Sequence, residues 1–209
     1  MTSIESLALE VSDTAAARRF LADAFGLDDR IGVRQATEAS TGFRAFTLSL
    51  IVSQPAEVDS FANSAIEAGA TVLKPVAKSF WGYGGSVRAP DGTIWKIATS
   101  NKKNTGPATR TIDDIALLLG VADVAATKRF YVEHGVAVEK SYGRKYVQFE
   151  TPAGAVKFAL YGRRALAKDA GVAADGSGSH RLVITGDAGR FTDPDGFVWE
   201  TADRTAPAR

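Results

Sequence analysis

The sequence predicts a protein of the α+β class in which one folded unit occurs twice. Two separate segments are repeated in the same order, which is the signature of a duplicated structural unit. Residues 4–11 alternate between apolar and polar or small side chains, as expected of a strand with one buried face. The stretch that follows begins with Asp13, a good helix N-cap, and stops at Gly26, a common helix terminator. Each copy therefore contains both strands and helices.

The repeated segments mark the two copies. Residues 11–20 (VSDTAAARRF) return as 121–130 (VADVAATKRF), and residues 89–96 (APDGTIWK) return as 193–200 (DPDGFVWE). Each closing segment combines a Pro-Asp-Gly turn with a strand that carries a tryptophan. Between the copies the chain is polar and interrupted by glycine and proline, as in a linker. These features divide the chain into a first unit over 1–100, a linker over 101–111, a second unit over 112–203 and a flexible tail over 204–209.

The bulk composition excludes several classes of protein and partner. The formal net charge is +1, so the overall field gives no attraction for nucleic acid or for an anionic membrane. Cysteine is absent, which removes disulfides, thiolate catalysis and cysteine-ligated metals. No segment has the length of a membrane span, and the first residues lack the basic and apolar regions of a signal peptide. We therefore expect a soluble cytoplasmic protein with no nucleic-acid or membrane partner.

The two units differ in their remaining elements. In the first, Pro55 opens a second helix where proline is best tolerated, and Gly69 ends it. In the second, the helix capped by Asp123 has no such successor, and only a short helical stretch covers 163–170. The region 29–40 carries no clear strand pattern. Further strands are predicted at 43–52, 71–73, 86–89 and 93–99 in the first unit, and at 112–121, 136–139, 145–150, 156–161, 180–185 and 197–201 in the second.

This order of elements resembles the vicinal oxygen chelate superfamily, the group of the glyoxalases, bleomycin-resistance proteins and extradiol dioxygenases. The helix opened by V-x-D and the Pro-Asp-Gly hairpin before a W-[EK] strand carry the resemblance. Residues 80–95 (FWGYGG…PDG…W) and 160–171 (LYGRRALAKDAG) are similar to a glyoxalase-like branch, and the resemblance covers nearly the whole chain. It implies tandem βαβββ modules whose curled mixed sheets form open cups, with helices packed outside.

The resemblance also implies positions for metal ligands. Metal-binding members take ligands from the first strand, from a matching strand of the partner module, and from the closing strand. By position, the first unit offers Ser6, Thr47 and Lys96. Hydroxyl groups are poor ligands, and a lysine ammonium repels a divalent cation. The first cup is therefore expected to bind a ligand without metal.

The second unit offers different chemistry at the same positions. Asp114 lies on the first strand, Glu200 on the closing strand, and Arg181 or Val183 on the strand between them. Two carboxylates without histidine hold Mg²⁺ or Ca²⁺ only weakly. We expect no cofactor, with a weak divalent metal at Asp114 and Glu200 as the alternative. Arg181 is a candidate ligand-binding residue, or the partner of Glu200 in an ion pair.

The tryptophans of the closing strands are predicted to lie in the core. Side chains alternate along a strand, so Lys96 and Glu200 cannot share a face with Trp95 and Trp199. If the charged pair points into the cups, the tryptophans point toward the helices.

Other aromatic residues are candidates for ligand contact. Phe80, Trp81 and Tyr83 lie in a glycine-rich segment next to a strand of the first cup. There they either fold over a bound molecule or form a hydrophobic plug at the end of the sheet. Tyr146 is a candidate lining residue of the second cup.

The resemblance, together with these residues, implies three possible functions. The first is a metal-free binding protein of the bleomycin-resistance type, which sequesters an aromatic or partly apolar molecule and often forms a homodimer. The second is a glyoxalase-like lyase or isomerase that uses Glu200 or Asp114 as general base with a weakly bound divalent metal. The third is a degenerate scaffold with a role in dimerisation or regulation. Because histidine is missing from the ligand positions, the sequence favours the first.

Overall fold

The computed structural model describes residues 2–27 and 30–202, and the predicted tail at 204–209 lies outside this range. The helices are α1 (Thr14–Phe25), α2 (Pro55–Glu67), α3 (Val124–Glu133) and α4 (Arg163–Ala170). The strands are β1 (Ile4–Val11), β2 (Ile31–Gln35), β3 (Ser40–Gly42), β4 (Phe46–Ile51), β5 (Thr71–Ser79), β6 (Gly82–Arg88), β7 (Ile94–Thr99), β8 (Asp114–Val121), β9 (Val138–Ser141), β10 (Tyr146–Phe149), β11 (Lys157–Gly162), β12 (Gly176–Gly178), β13 (Leu182–Gly186), β14 (Phe191–Thr192) and β15 (Val198–Thr201).

The larger sheet holds eight strands in the order β5-β6-β7-β4-β8-β11-β10-β9. It consists of two βαβββ modules, β4-α2-β5-β6-β7 and β8-α3-β9-β10-β11. In each module the last strand pairs in parallel with the first, β7 with β4 and β11 with β8. The two modules meet where β4 pairs antiparallel with β8. The predicted α+β class, with βαβββ modules in mixed sheets that stay open, is confirmed.

The smaller sheet joins the two ends of the chain in the order β14-β15-β13-β1-β2. Its halves are shortened modules, since β1, α1 and β2 form one and β13, β14 and β15 form the other without a helix. They meet where β1 pairs antiparallel with β13, just as β4 meets β8 in the larger sheet. A separate two-stranded sheet pairs β3 with β12. Each of the sheets therefore contains strands from both halves of the chain.

The predicted helix starts are confirmed. The Asp13 carboxylate accepts a hydrogen bond from the Ala16 N–H (2.9 Å), and Asp123 accepts from Ala125 (2.9 Å) and Ala126 (3.2 Å). Gly26 ends α1 in the left-handed conformation, with φ of 61°. Residues Arg163–Ala170 form α4 as predicted. None of the helices in the described part of the chain is long and apolar enough to cross a membrane.

The sequence predicted too few strand residues in two regions of the chain. The region 29–40 contains β2 and the first residue of β3, and the short strands predicted at 71–73 and 86–89 are the ends of a long hairpin, β5–β6. β2 is held by parallel pairing with β1, a contact that its own sequence does not reveal. β5 contains lysines and Pro75, which suit the edge of a sheet but obscure the strand pattern.

The main core lies between the sheets and helices α1, α2 and α3. Trp95 and Trp199 are 0% and 1% exposed, so their predicted core position is confirmed. Trp95 packs against Phe25 at the end of α1, with ring centroids 4.8 Å apart. Trp199 packs against Tyr131 in α3, with ring centroids 5.7 Å apart.

The opposite face of the eight-stranded sheet, which we call the inner face, carries Lys96, Ser49 and Ala116 in one row across β7, β4 and β8. Helix α4 packs on this face. Its buried residues are Leu166, Ala167 and Ala170, and they form a second, smaller core with Phe43 and Ile94. The cup predicted for this sheet is thus partly filled by the protein's own helix.

The segment between β7 and β8 is fastened to α2. The Gln54 side-chain oxygen accepts from the Thr105 N–H (2.7 Å) and the Gly106 N–H (3.1 Å). The buried Glu57 carboxylate accepts from the Thr109 N–H (2.6 Å) and the Arg110 N–H (2.8 Å). Burial raises the pKa of Glu57, but these hydrogen bonds outweigh burial and hold the pKa below its ordinary value. The connection between the two copies is therefore fixed by α2.

Candidate functional site

A cleft of about 430 Å³ opens on the inner face beside β5, β6 and β7. Residues from the β5–β6 hairpin, from β7 and from α4 line it. Three residues that the sequence singled out, Trp81, Tyr83 and Lys96, are among the lining residues. The cleft is therefore the place where the structure brings predicted site residues together.

Lys96 lies where the cleft meets α4. Its ammonium group forms an ion pair with the Asp169 carboxylate, which belongs to the last turn of α4. The side chains are 25% and 43% exposed, so both groups remain accessible from the cleft. The position predicted for a closing-strand ligand is thus occupied by a lysine that binds a carboxylate of the same chain.

Two further hydrogen bonds hold the C-terminal end of α4 at the cleft. The buried Ser86 hydroxyl donates to the Ala170 carbonyl oxygen (2.9 Å). The Lys74 ammonium donates to the Lys168 carbonyl oxygen (2.9 Å). Ser86 thus satisfies a carbonyl group that a helix end otherwise leaves unpaired, and Lys74 adds a second donor to the Lys168 carbonyl oxygen, which also accepts from the Gly171 N–H (3.3 Å). The end of α4 is therefore anchored independently of the Lys96–Asp169 pair.

The part of the cleft next to Lys96 has a floor of small residues. Gly84 on β6 lies opposite Ala98 on β7, two positions along the strand from Lys96. A Cβ atom at Gly84 would lie 2.6 Å from the Ile97 carbonyl oxygen and 3.0 Å from Ala98. Only glycine fits this close approach of two strands. The floor is consequently flat and presents backbone rather than side chains.

Phe80 and Trp81 form the tip of the β5–β6 hairpin at the rim of the cleft. Their side chains are 82% and 83% exposed, and their rings contact each other edge to face with centroids 5.0 Å apart. The Lys102 ammonium lies 5.9 Å from the centre of the Phe80 ring. Phe80 and Trp81 do not form the hydrophobic plug of the alternative prediction, because the side chains of a plug would be buried, whereas the Tyr83 ring packs against the core. The two rings are free to contact another molecule.

Tyr83 has a different environment from its neighbours Phe80 and Trp81. Its hydroxyl donates to the Asp59 carboxylate of α2 (2.8 Å), and its ring packs against the main core. The hydrogen bond to Asp59 raises the pKa of Tyr83. The Tyr83 side chain therefore lies on the side of the hairpin that faces α2.

Thr47 is closed off from solvent. It is fully buried on β4 next to Leu118 of β8, where α4 covers the inner face. Its hydroxyl has no hydrogen-bond partner. A ligand in the cleft cannot reach Thr47 while α4 is in place.

Asp114 lies on β8 next to Ile51 of β4, and its carboxylate pairs with the Lys157 ammonium (2.7 Å). Neither Asp114 nor Lys157 lines the cleft. The first-strand carboxylate of the second unit is thus engaged by a cation of the protein.

The other two predicted positions lie on the five-stranded sheet. Ser6 on β1 pairs with Thr185 on β13, which pairs with Glu200 on β15. The structure therefore places Ser6 and Glu200 on one sheet and Lys96 and Asp114 on the other. The two positions expected in each unit are thus divided between the sheets. Glu200 accepts from the Arg34 guanidinium (3.2 and 3.4 Å), which also donates to Glu10 (2.9 and 3.0 Å). Burial opposes the charge on Arg34, but the two carboxylates raise its pKa.

The ion pair suggested between Arg181 and Glu200 does not form, since Arg34 takes that place. Arg181 precedes β13 with φ of 59°, and its buried Nε atom has no hydrogen-bond partner. The sequence missed Arg34 because β2 was not recognised as a strand of this sheet.

Tyr146 belongs to a cluster of tyrosines at the other end of the inner face. Its ring lies 5.9 Å from Tyr161 and 6.1 Å from Tyr142, and its hydroxyl donates to the Gln148 side chain (3.2 Å). Burial raises the pKa of Tyr146. Strands β4 and β8 separate this cluster from the cleft, so Tyr146 and Lys96 do not form one site.

The donor chemistry does not suit a divalent metal. In the part of the chain that the structure describes, no three His, Cys, Asp or Glu side chains come together in a group that could hold a metal ion. Lys96 occupies one of the positions that the resemblance implies for a ligand, and Asp114 and Glu200 are already bound to Lys157 and Arg34. Each of these positive groups would repel a divalent cation at short range.

Sequence reasoning missed Asp169, Lys74 and Gly84 as residues of the cleft. A signal for Asp169 was present, because an acidic residue in the last turn of a helix opposes the helix dipole. The unfavourable position of Asp169 in the last turn therefore indicates that its carboxylate has a specific binding partner. No local signal identifies Lys74 as a residue of the cleft, because its hydrogen bond to α4 depends on how β5 approaches that helix in the folded chain.

Comparison with known proteins reveals the fold. No protein-family profile and no curated protein sequence matches the chain. Among solved structures, glyoxalase I from Zea mays superimposes with a TM-score of 0.65 and 12% identity, over 98% of this chain and 93% of that one. A candidate dioxygenase from Bacillus subtilis superimposes with a TM-score of 0.59 and 10% identity, over 95% and 84%. At such low identity the likeness shows the fold alone, which is the vicinal oxygen chelate fold with two tandem units.

Proposed function

We propose that this chain, which has the vicinal oxygen chelate fold, is a metal-independent binding protein for a flat, partly apolar small molecule. The proposed site is the cleft beside Lys96. The observation that carries the proposal is the exchange of a metal-ligand position for an ammonium group, next to an accessible cleft with a glycine floor and an exposed aromatic rim.

The dimensions and surface of the cleft support a small organic ligand. A volume of about 430 Å³ falls in the range of small-molecule sites. The flat floor at Gly84 and Ala98 offers backbone against which a ring can lie. Trp81 at the rim offers an aromatic surface for stacking. Together these features favour a planar molecule over a compact polar one.

The enzyme alternative receives less support from the geometry. A general base needs to lie within hydrogen-bond reach of its substrate. Asp114 and Glu200 are bound to Lys157 and Arg34, and neither carboxylate lines the cleft. A glyoxalase-like proton transfer in the cleft would therefore have no base at the predicted positions.

Tryptophan fluorescence offers a direct test. Of the three tryptophans, Trp95 and Trp199 are buried, so Trp81 alone is exposed to a molecule in solution. Titration with a panel of planar aromatic compounds should quench the emission saturably for at least one compound. Trp81→Phe should remove that signal while isothermal calorimetry still detects binding. Added EDTA, Ni²⁺, Zn²⁺, Mn²⁺ and Mg²⁺ should leave both the affinity and the thermal midpoint unchanged.

Two results would contradict the proposal. A rise of the thermal midpoint with a transition metal, together with metal-dependent binding, would favour the enzyme. Absence of binding across the whole panel would favour a scaffold that acts through dimerisation or regulation.

A further inference from the structure

We infer that the ligand of the cleft carries an anionic group that binds Lys96, and that Asp169 is a built-in competitor for this position. The inference rests on the proposed function and names the chemical class of the ligand: an aromatic carboxylate or a molecule of similar shape and charge.

The charges of the cleft point to an anion. The charged residues of its lining are Lys74, Lys78 and Lys96 on the strands and Asp169 on α4. Lys78 pairs with Tyr83, whose ring lies on the helix side of the hairpin, so Lys74 and Lys96 are the lysines that share the inner face with Asp169. Two ammonium groups and one carboxylate leave the cleft an excess of positive charge even with the ion pair in place. A negatively charged ligand is attracted to such a surface, and a cationic one is repelled.

The Asp169 carboxylate occupies the place beside Lys96 that the anionic group of a ligand would take. Its carboxylate binds the Lys96 ammonium directly at the wall of the cleft. Both side chains are partly exposed, and ion pairs between partly exposed groups contribute little to stability. A dissolved carboxylate can therefore compete with Asp169 for the same donor.

Helix α4 does not itself stabilise the Asp169 carboxylate in its position beside Lys96. A negative charge in the last turn of α4 lies close to the negative end of the helix dipole, which disfavours it. The end of α4 remains tied by Ser86 and Lys74 through the carbonyl groups of Ala170 and Lys168. Displacement of the Asp169 side chain therefore requires a change of rotamer and leaves the helix in place.

The arrangement of floor and charge selects the shape of the ligand. Gly84 and Ala98 lie two positions along β6 and β7 from the Ser86–Lys96 pair. Trp81 lies beyond them at the hairpin tip. A ring lying on the floor would thus direct a carboxylate on one side toward Lys96. A planar ring with one carboxylate meets both requirements.

The test compares 2-naphthoate with its neutral isostere 2-naphthamide by isothermal calorimetry. The unmodified protein should bind the naphthoate more tightly. Asp169→Asn should tighten naphthoate binding about two- to five-fold, the range of a partly exposed ion pair, and leave naphthamide binding unchanged. Lys96→Met should weaken naphthoate binding about ten-fold or more, as expected for loss of a charge-assisted hydrogen bond.

Asp23→Asn is the matched control. Asp23 is an exposed acidic residue near the end of α1 and lies outside the cleft, so its replacement should change neither affinity. Thermal unfolding of each variant establishes that the fold persists. Should Lys96→Met fail to fold, the Asp169→Asn comparison decides the question alone.

The outcomes separate the two proposals. Failure of the naphthoate to bind both the unmodified protein and Asp169→Asn, while other planar compounds of the panel bind, would overturn the inference and keep the proposed function. Failure of the whole panel to bind would overturn both. Equal binding of the two compounds, unaffected by Asp169→Asn, would keep the cleft as a ligand site and overturn only the role of Lys96 and Asp169.

Discussion

The two copies of the Pro-Asp-Gly and tryptophan segment adopt the same backbone but satisfy their polar groups differently. In the second copy the Trp199 indole N–H donates to the Tyr131 hydroxyl (3.1 Å), which donates to the buried Asp193 carboxylate (2.7 Å). Asp193 also accepts from the N–H groups of Asp195 (2.9 Å) and Phe197 (2.8 Å). The second closing strand is thus supported by a continuous buried network.

The first copy lacks this network. Leu21 stands where the repeat has Tyr131, and Ala89 stands where it has Asp193. The Trp95 indole N–H is buried without a partner. Both copies therefore bury a tryptophan against a helix, but only the second copy connects its tryptophan to a buried hydrogen-bond network.

The turn aspartates show the same divergence. Asp195 accepts from the Ala122 N–H (2.6 Å) and the Thr127 hydroxyl (2.7 Å), which ties the turn to the start of α3. In the first copy Ala17 replaces Thr127, and Asp91 bonds to Thr93 within its own turn. A small pocket of about 90 Å³ lies between this turn and α1, so the first copy lacks the direct tie seen in the second.

The largest expected effect is the loss of Asp193. Asp193→Ala would leave the buried Tyr131 hydroxyl, the buried Phe197 N–H and the half-buried Asp195 N–H without their acceptor, and should lower the free energy of unfolding by about 3 kcal/mol or more. Asp193→Asn keeps an acceptor for the backbone groups and should cost much less. Urea denaturation of both variants measures the difference. Equal losses would mean that the network adds nothing beyond packing.

Replacement of each tryptophan isolates the value of its N–H group. Trp199→Phe and Trp95→Phe lose similar volumes, but only the first breaks a hydrogen bond, while the second removes an unpartnered donor. Trp199→Phe should therefore be the more destabilising, by about 1–2 kcal/mol in the free energy of unfolding. Denaturation of the two variants under one condition provides the comparison, and an inverted order would contradict the unequal roles of the two copies.

The smallest effect concerns the segment that joins the copies. Because the folded-state pKa of Glu57 lies below its ordinary value of 4.5, its contribution to stability is present above pH 4.5 and is lost as pH falls through the lowered pKa. Glu57→Gln should cost about 1 kcal/mol above that pH, with a smaller difference from the unmodified protein in acid. Unfolding curves at several pH values test this. A constant difference at all pH values would mean that the charge of Glu57 has no role.

Local signals predicted much of the fold. Asp13 and Asp123 cap α1 and α3, and the alternation of side chains correctly placed Trp95 and Trp199 in the core. β2 escaped prediction because its stability comes from pairing with β1. Local patterns report a segment's own preferences, and they carry no information on which distant strand it joins.

The candidate site was only partly predictable for the same reason. Lys96 and Trp81 were found, one through its position in the repeat and the other through its glycine-rich surroundings. Asp169 was missed because its partner is distant in the chain, and Tyr146 lies apart from the cleft because two strands intervene. A sequence reveals the chemical character of a single residue, but it does not reveal a contact between two residues that lie far apart in the chain.

The sequence by itself determined the repeated segments, the helix starts, the buried tryptophans and the difference in charge between Lys96 and Glu200 at equivalent positions of the repeat. These follow from periodicity, capping and the charge of single side chains, which act over a few residues. Only the tertiary structure decided that strands of both copies meet in each sheet, that α4 covers part of the inner face, and that Asp169 binds Lys96. Those contacts join segments far apart in the chain, and the chain's global packing selects them.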